Sequence, residues 1–534
     1  MRIARNFPSS LPRTAVVIWT AALVYVVIVS IVTWPFLIDD AYIGFRYLDN
    51  FAHGNGFVFN PPDRVEGVTN IGWLLVVLPF SLIFPVAAAA KILSLFFILA
   101  ALALVRILAL HLRGEGDGRV IPPLWPLVVV ANFDFILFSL SGMETALLSF
   151  GLILGIYFAA RRRSLLAAAL LGAFLYLVRP ETVLVFPLAL LFLNGLKWPS
   201  WKKHAPAIFV FILIMIALTI GRKLYFGDFL PNTFYAKSTS AVLILKNLAS
   251  FLKGSPSNIA LPFIGWLALP VWAVGLRRMW RWDRKIAAFT TAALLSGLFF
   301  ALYAKPDWTN LGRYFAPYIP LATVVLLIGC DDFVRRLFAL SAKTREPKFV
   351  MTLVCLALII FGAARTAAFC FSDQKREYPG FVLTGVSLVE PSLWMRDHMP
   401  DQAVIATGRI GAISFYSGRR IFDYKFGLTE RNVARLKRNL RREFTDPRDP
   451  ALKEIWLEVK PDYFLEDLDR IRDIFRLGPG EVDSLDIHDL TYRFVKKFRV
   501  GLWTDWALFR RADYRAAAPL ALGPAAGYNT HINP

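Results

Sequence analysis

Residues 15–47 read AVVIWTAALVYVVIVSIVTWPFLIDDAYIGFRY. From 15 to 38 no residue is charged, and the run is as long as the roughly 20 apolar residues that cross a 30 Å hydrocarbon layer. Arg2, Arg5 and Arg13 ahead of it give the charge pattern of a signal peptide, but no small-residue cleavage site closes the run. It is read as a retained first transmembrane helix. Two adjacent carboxylates, Asp39 and Asp40, follow at its outer end. The whole chain has the same character: of 534 residues 56% are hydrophobic and 19% charged, and the mean hydropathy is +0.51. These values lie far from soluble domains and place the chain in a bilayer.

Lysine and arginine outnumber aspartate and glutamate 60 to 39, a formal net charge of +21. Such a surplus serves nucleic acid or the basic cytoplasmic loops of a membrane protein. Here it sits in short runs between apolar segments, which fits the loops and argues against nucleic acid as a partner. Cys330, Cys355 and Cys370 stand in no CxxC or Cys/His spacing, so neither a disulfide framework nor a zinc site is expected.

Further apolar stretches run over 71–84, 86–112, 120–140, 145–160, 165–178, 182–193, 205–220, 259–276, 286–304, 315–330 and 349–370. If every one crossed, Arg161, Arg162 and Arg163 would face outward, against the positive-inside tendency. The stretch 71–84 is short and bounded by Pro85, so it is read as an interfacial helix, leaving eleven spans. Arg113 with Arg119, the triple arginine, Lys197 with Lys202 and Lys203, and the runs 277–285 and 335–348 then all face the cytoplasm. The outer face carries 39–70, 141–144, 179–181, 221–258, 305–313 and everything after 370.

From 371 the composition turns to mixed charge with short apolar runs. The stretch 403–406, followed by Gly408, Gly411 and Gly418, reads as a strand, a Gly-rich turn and a strand or helix. Strand-like pieces recur at 463–465 and 506–509, separated by a charged helical stretch over 430–460. The expectation is a soluble α/β domain over 371–534 on the outer side. Gly408-x-x-Gly411 is not a nucleotide-binding fingerprint.

The outer loops are dense in polar and aromatic groups. The first, 39–70, opens Asp-Asp-Ala-Tyr-Ile and continues through His53 to Glu66 and Asn70. Others read Ser-Gly-Met-Glu-Thr at 141–145, Arg179-Pro180-Glu181, Gly-Asp-Phe-Leu-Pro-Asn-Thr-Phe-Tyr-Ala-Lys at 227–237, and Asp307-Trp308 with Arg313-Tyr314. Together with the Gly-x-x-x-x-Tyr-Ser-Gly-Arg segment ending at Arg419, these resemble the GT-C superfamily of polytopic glycosyltransferases, in particular the mycobacterial terminal arabinofuranosyltransferase group. The resemblance is scattered over nearly the whole chain. It departs from the group's pattern at Thr182, where a glycine is expected after Arg-Pro-Glu, and at Lys305-Pro306 ahead of Asp307-Trp308.

The resemblance implies a fold of GT-C type: a polytopic α-helical membrane protein with a catalytic membrane domain (1–370) and a periplasmic α/β domain (371–534). It also implies an inverting transfer of a sugar, arabinofuranose above all, from a decaprenyl or undecaprenyl phosphate donor to a glycan, lipid or protein acceptor on the outer face of a bacterial cytoplasmic membrane. An acidic residue in the first outer loop acts as base, and a membrane-associated helix lies between the first two spans.

The residue types suit that chemistry. A glycosidase needs two carboxylates because its alkoxide leaving group must be protonated. A lipid phosphate leaves unaided, so one base for the acceptor hydroxyl is sufficient. Asp39 is taken as that base and Asp40 as its support, with the opposite order left open. Charge developing on the phosphate calls for outer cations, for which Arg179, Lys237 and Arg313 are the candidates, each also readable as an interfacial cation. Sugar or acceptor contacts are expected from His53, Glu66, Glu144, Glu181, Asn232, Tyr235, Asp307 and Trp308. Plainer roles compete: His53 as a loop hydrogen-bonder, Glu144 and Glu181 as helix caps, and Tyr235 and Trp308, with Tyr225 and Phe234, as an aromatic belt. Asn132 and Asp134, inside an apolar run, are read as polar contacts with a neighbouring helix. A divalent ion bridging the Asp pair and the phosphate has only two carboxylates to rest on. The rival reading is a transporter, against which stand the lack of an internal repeat and the gathering of acids on one face. Cysteines placed at Ser81 and Ser164 should be labelled by a membrane-impermeant reagent only at the first position; labelling of Ser164 from outside would overturn the arrangement.

Overall fold

The structure is a computed structural model and describes residues 13–113, 123–162, 164–195, 201–237, 244–246, 248–249, 268–304, 312–340, 347–371, 388–478, 480, 482–500 and 504–514. The first apolar run does not stay helical to 38. Helix α1 (Arg13–Val32) stops ahead of Pro35, which lacks an N–H and disfavours helical geometry in the residue before it. After a turn and three extended residues a second helix begins, α2 (Asp39–Ala52). The two acids therefore form the first turn of α2, where a helix favours negative charge, and are not the outer end of α1.

Helix α3 (Ile71–Ser81) is 11 residues long, half of what a span needs, and exposes Leu75, Phe80, Leu82, Ile83 and Phe84 at its end, in keeping with an interfacial helix. Helix α4 (Val86–Arg113) follows and carries the buried Lys91. Its Nζ donates to the carbonyl oxygens of Thr33 at 3.0 Å, Phe36 at 2.7 Å and Leu140 at 3.2 Å. One ammonium thus serves carbonyls that follow two helix ends and fixes the turn that hands α1 to α2.

The run 120–140, expected to be one span, is two 7-residue helices, α5 (Trp125–Ala131) and α6 (Phe133–Ser139). Asn132 makes the break: its backbone is extended, and its side chain accepts from the Phe135 N–H at 3.1 Å to start α6. Asp134 faces Arg365 at 3.6 Å, the contact with a neighbouring helix that was expected, whereas Asn132 caps the helix it opens and makes no such contact in this role. The helix Pro347–Phe371 crosses the break at Gly362, where a β-carbon would overlap the Ala131 carbonyl oxygen.

Helices α7 (Thr145–Ala160), α8 (Leu165–Val178) and α9 (Val185–Asn194) continue the bundle, followed by Ala205–Phe226, Ala268–Trp282, Arg284–Tyr303 and Ile319–Leu340. Among the described residues six helices are long and apolar enough to cross a membrane, and four shorter apolar ones lie among them. Residues 251–267, which include the first half of the expected span 259–276, lie outside the described residues.

The C-terminal part holds a six-stranded sheet: β1 (Val404–Thr407), β2 (Arg420–Phe422), β3 (Tyr463–Asp467), β4 (Ser484–Ile487), β5 (Leu490–Val500) and β6 (Thr504–Arg511). The strand order is β2-β1-β3-β6-β5-β4; the first three are parallel and the rest antiparallel. One face, with Ile405, Ile421, Leu465 and Leu508, packs with Met395, Ala412 and Ile413 into the core shared with the membrane helices. The other, with Ala406, Phe422, Phe464 and Phe509, packs on Val433, Trp456 and Ile471. Helices therefore cover both faces, as parallel strands require.

The close crossing at Gly362 sets a stability test. Gly362→Val should lower the melting temperature in detergent by several degrees, the scale of about 1–3 kcal/mol of overpacking. Gly221→Ala, at a position with open space around it, should leave it unchanged.

Candidate functional site

The two acids of α2 part company at once. Asp39 is buried, and its carboxylate accepts the backbone N–H of Gly411 at 3.1 Å and of Ala412 at 2.8 Å. These amides open the short helix Gly411–Ser417, so Asp39 caps an element of the sheet region from 372 residues away in sequence. Gly411 is required there, since a β-carbon would overlap the Asp39 carbonyl oxygen. Burial pushes the Asp39 carboxyl above the usual range, opposed by the Ala412 amide, the charge of Arg409 and the Gly411 amide.

The same surface is sealed by aromatic rings: Tyr42 lies 5.3 Å from Tyr416, with their hydroxyls at 3.3 Å, and Phe45 packs on Phe415. Arg46 donates to the Gly418 carbonyl at 2.9 Å, while Asn60 exchanges two hydrogen bonds with the Ile421 backbone. The Gly-rich turn is thus shaped for helix α2.

Asp40 points the other way. Its side chain keeps 30% of its surface exposed, and its Oδ2 pairs with Arg313 Nη1 at 2.8 Å. The Arg313 guanidinium lies 5.3 Å from the centre of the Tyr314 ring, the Arg179 guanidinium 5.7 Å and the Lys237 ammonium 6.0 Å. Three cations from separate loops therefore surround one aromatic ring beside an accessible carboxylate. Each contact is at cation–π distance. Tyr314 was not among the expected site residues; its place next to Arg313 in an outer loop was the available signal.

Arg179 and Arg313 are both buried, and Lys237 is exposed. Arg179 pairs with Glu144 at 3.0 Å and Glu181 at 2.8 Å, and lies 4.8 Å from the Phe300 ring. Glu144 also accepts from Asn70 at 2.8 Å, and Ser296 donates to the Glu181 backbone carbonyl at 2.6 Å. Glu144 and Glu181 are therefore committed to holding Arg179, and Glu144, at the start of α7, makes no capping bond. A buried carboxylate needs such a partner.

Other expected contacts lie elsewhere. Glu66 is buried against Arg222 at 2.6 Å, and burial outweighs that pairing to push it up to about 7. Asn232 donates to the carbonyls of Gly427 and Leu428, both at 2.8 Å, docking the 227–237 loop onto the sheet region. Tyr235 carries Arg438 at 5.1 Å over its ring. His53 sits beyond the far end of α2 at hydrogen-bond distance from the Asp49 carbonyl, about 20 Å of helix from the acids. Asp307 and Trp308 lie outside the described residues. The acids form no obvious chelate, since Asp39 holds amides and Asp40 a guanidinium, and no group of three or more His, Cys, Asp or Glu side chains gathers among the described residues.

Residues 383–521 match a family model described as a domain of unknown function, DUF8728. Over 333 residues the chain is 26% identical to the terminal β-(1→2)-arabinofuranosyltransferase of Mycobacterium tuberculosis, covering 58% of this chain and 50% of that protein. The chain thus spans about half the length of that relative. Two solved structures share its fold at 12% identity and a TM-score of 0.53. One is the oligosaccharyltransferase AglB from Archaeoglobus fulgidus with an inhibitory peptide and a dolichol-phosphate, covering 86% of this chain and 70% of that one. The other is ArnT from Cupriavidus metallidurans bound to undecaprenyl phosphate, covering 92% and 97%.

The Asp39 clamp makes a local prediction. In Asp39→Ala the amides of Gly411 and Ala412 should lose hydrogen-exchange protection, because two buried donors are left without an acceptor. Asp40→Asn should leave that protection intact.

Proposed function

We propose, for a chain that has the fold of the GT-C superfamily of polytopic membrane glycosyltransferases, that it transfers a sugar from a polyprenyl phosphate to an acceptor hydroxyl. The observation that carries this reading is the accessible Asp40 carboxylate, 2.8 Å from Arg313, at the edge of the cations around Tyr314. The name of the Mycobacterium tuberculosis relative supports arabinofuranose as the sugar and a glycan as the acceptor. The lipid phosphates in the AglB and ArnT structures support a donor of the polyprenyl phosphate type.

In this reading the base is Asp40, which reverses the order expected from the sequence. A general base needs a lone pair facing the acceptor, and both Asp39 oxygens are occupied by backbone amides. The acceptor hydroxyl gives its proton to Asp40, and its oxygen attacks the anomeric carbon from the face opposite the phosphate. The bond from that carbon to the phosphate oxygen breaks, and the configuration inverts. Polyprenyl phosphate leaves as the anion, its charge met by Arg313 and Lys237. A guanidinium has five N–H donors, so Arg313 can hold Asp40 and a phosphate oxygen together. Arg179 forms the buried wall behind them, and its Nη2 has no acceptor among the described residues.

The membrane part is residues 1–370, with α5 and α6 together forming one interrupted crossing of a bacterial cytoplasmic membrane. Helices α2 and α3 and the region 371–534 lie on the outer face. An interrupted helix is tolerated at membrane depth where protein surrounds it, as it does the buried α5 and α6.

Asp40→Asn keeps the shape and removes the base, so turnover should fall roughly 100 to 10,000-fold while the protein folds normally. Arg313→Ala or Lys237→Ala should weaken donor use on the order of 10 to 1000-fold. Steady-state transfer from a synthetic polyprenyl phosphate sugar measures both, and near wild-type rates in all three variants would refute the mechanism.

A further inference from the structure

The sheet region has chemistry that the transfer site leaves unused. From β1 the chain passes through the helix Gly411–Ser417 on one face to β2, then through the helices Arg431–Leu440 and Lys453–Val459 on the other face to β3. Because β2 and β3 lie on opposite sides of β1, the connections leave the carboxyl ends of β1 and β3 in opposite directions and open a crevice between them. In doubly wound sheets such a switch point is where ligands bind.

The residues at this one are basic. Arg409 follows β1, Lys425 follows β2, and Arg470 stands on the helix after β3. Among the surrounding charges Glu466 acts on Lys425 first, and those of Arg470 and Arg409 oppose it. The nearby carboxylates are engaged: Asp423 accepts the N–H groups of Phe426 at 2.9 Å and Leu428 at 2.6 Å, and Glu466 accepts the Tyr424 hydroxyl at 2.9 Å and pairs with Arg470 at 3.8 Å, leaving the cluster a surplus of two cations over Glu466. Lys425 is half-buried and, among the described residues, forms no hydrogen bond or ion pair; it lies 5.0 Å from the centre of the Phe426 ring and feels the charges of Glu466 and Asp423. Its stem lies across Gly408, where a β-carbon would come 2.7 Å from Lys425 Cδ, so the glycine gives the side chain its path over the crevice. Burial pulls the ammonium down to about 8, a cost that an arriving anion relieves.

We propose that the crevice at the carboxyl ends of β1 and β3 is a second oxyanion site, in which Lys425, Arg409 and Arg470 take a phosphate-class group. It adjoins the transfer site, since Arg409 acts on Asp39 and Gly411, two residues on, is capped by it. Resting on the transferase reading, its ligand is an anionic substituent of the acceptor or the phosphate of the departing lipid.

Equilibrium dialysis of radiolabelled inorganic phosphate against the full chain in detergent, at low ionic strength, tests the site without catalysis. In an Arg313→Ala background, which silences the first anion site, phosphate should still bind. Adding Lys425→Met should weaken that binding about tenfold or more, and Lys425→Arg should retain it. Unchanged affinity in Lys425→Met, with an unchanged melting temperature, overturns the proposal. Kinetics then identify the source. If the acceptor carries the anion, Lys425→Met alone raises KM about tenfold for a phosphate-bearing acceptor and not for its neutral counterpart. If the lipid carries it, inhibition by polyprenyl phosphate weakens instead. Absence of sugar transfer by the wild type would remove the transferase reading while leaving the dialysis result to stand.

Discussion

The carboxylate of Asp39, accepting the amides of Gly411 at 3.1 Å and Ala412 at 2.8 Å, joins helix α2 to the sheet region. Everything around it follows from burying an acid there. The carboxylate needs donors, the exposed amides at the start of a short helix supply them, and the close approach demands glycine at 411. Once Asp39 is held, the next residue on α2 is fixed too, and Asp40 is left facing Arg313. The turn ahead of α2 is held from the membrane side by Lys91, so the acids are positioned from both ends.

The polar groups of the outer loops divide along the same line. Buried ones are spent on one another: Arg179 on Glu144 and Glu181, Arg222 on Glu66, and Asn232 on the backbone of Gly427 and Leu428. Each offsets part of the desolvation of its partner and in doing so pins one loop to the next. Asp40 and Lys237 remain accessible, with the buried Arg313 and Tyr314 between them. A dense field of polar residues thus resolves into a scaffold with a small working edge.

Much of this was legible in the sequence, for physical reasons that also mark where legibility ended. Apolar length and charge placement identified the membrane character and the short helix after the first loop, because those depend on composition alone. The strands β1, β3 and β6 were visible as apolar runs, whereas β5, charged at Arg493, Lys496, Lys497 and Arg499, was not. The break at Asn132 was hidden inside a run of suitable length, since one polar residue signals a helix contact and a helix cap equally. The sequence put Arg179, Lys237 and Arg313 forward together, but not the Tyr314 ring they share, because a tyrosine beside one arginine carries no sign of which other cations will approach it. The roles of Asp39 and Asp40 could not be told apart at all. Adjacent acids carry no record of which will be covered by a segment some 370 residues later.

The central claim, that the cations around Tyr314 receive a lipid phosphate beside Asp40, is tested most directly by an electron cryomicroscopy structure of the full chain with undecaprenyl phosphate. The account predicts density for the phosphate within hydrogen-bonding distance of Arg313 and Lys237, next to the Asp40 carboxylate, with Asp39 still bound to the Gly411 and Ala412 amides. A phosphate held on another face of the bundle, with no contact to either cation, would contradict it.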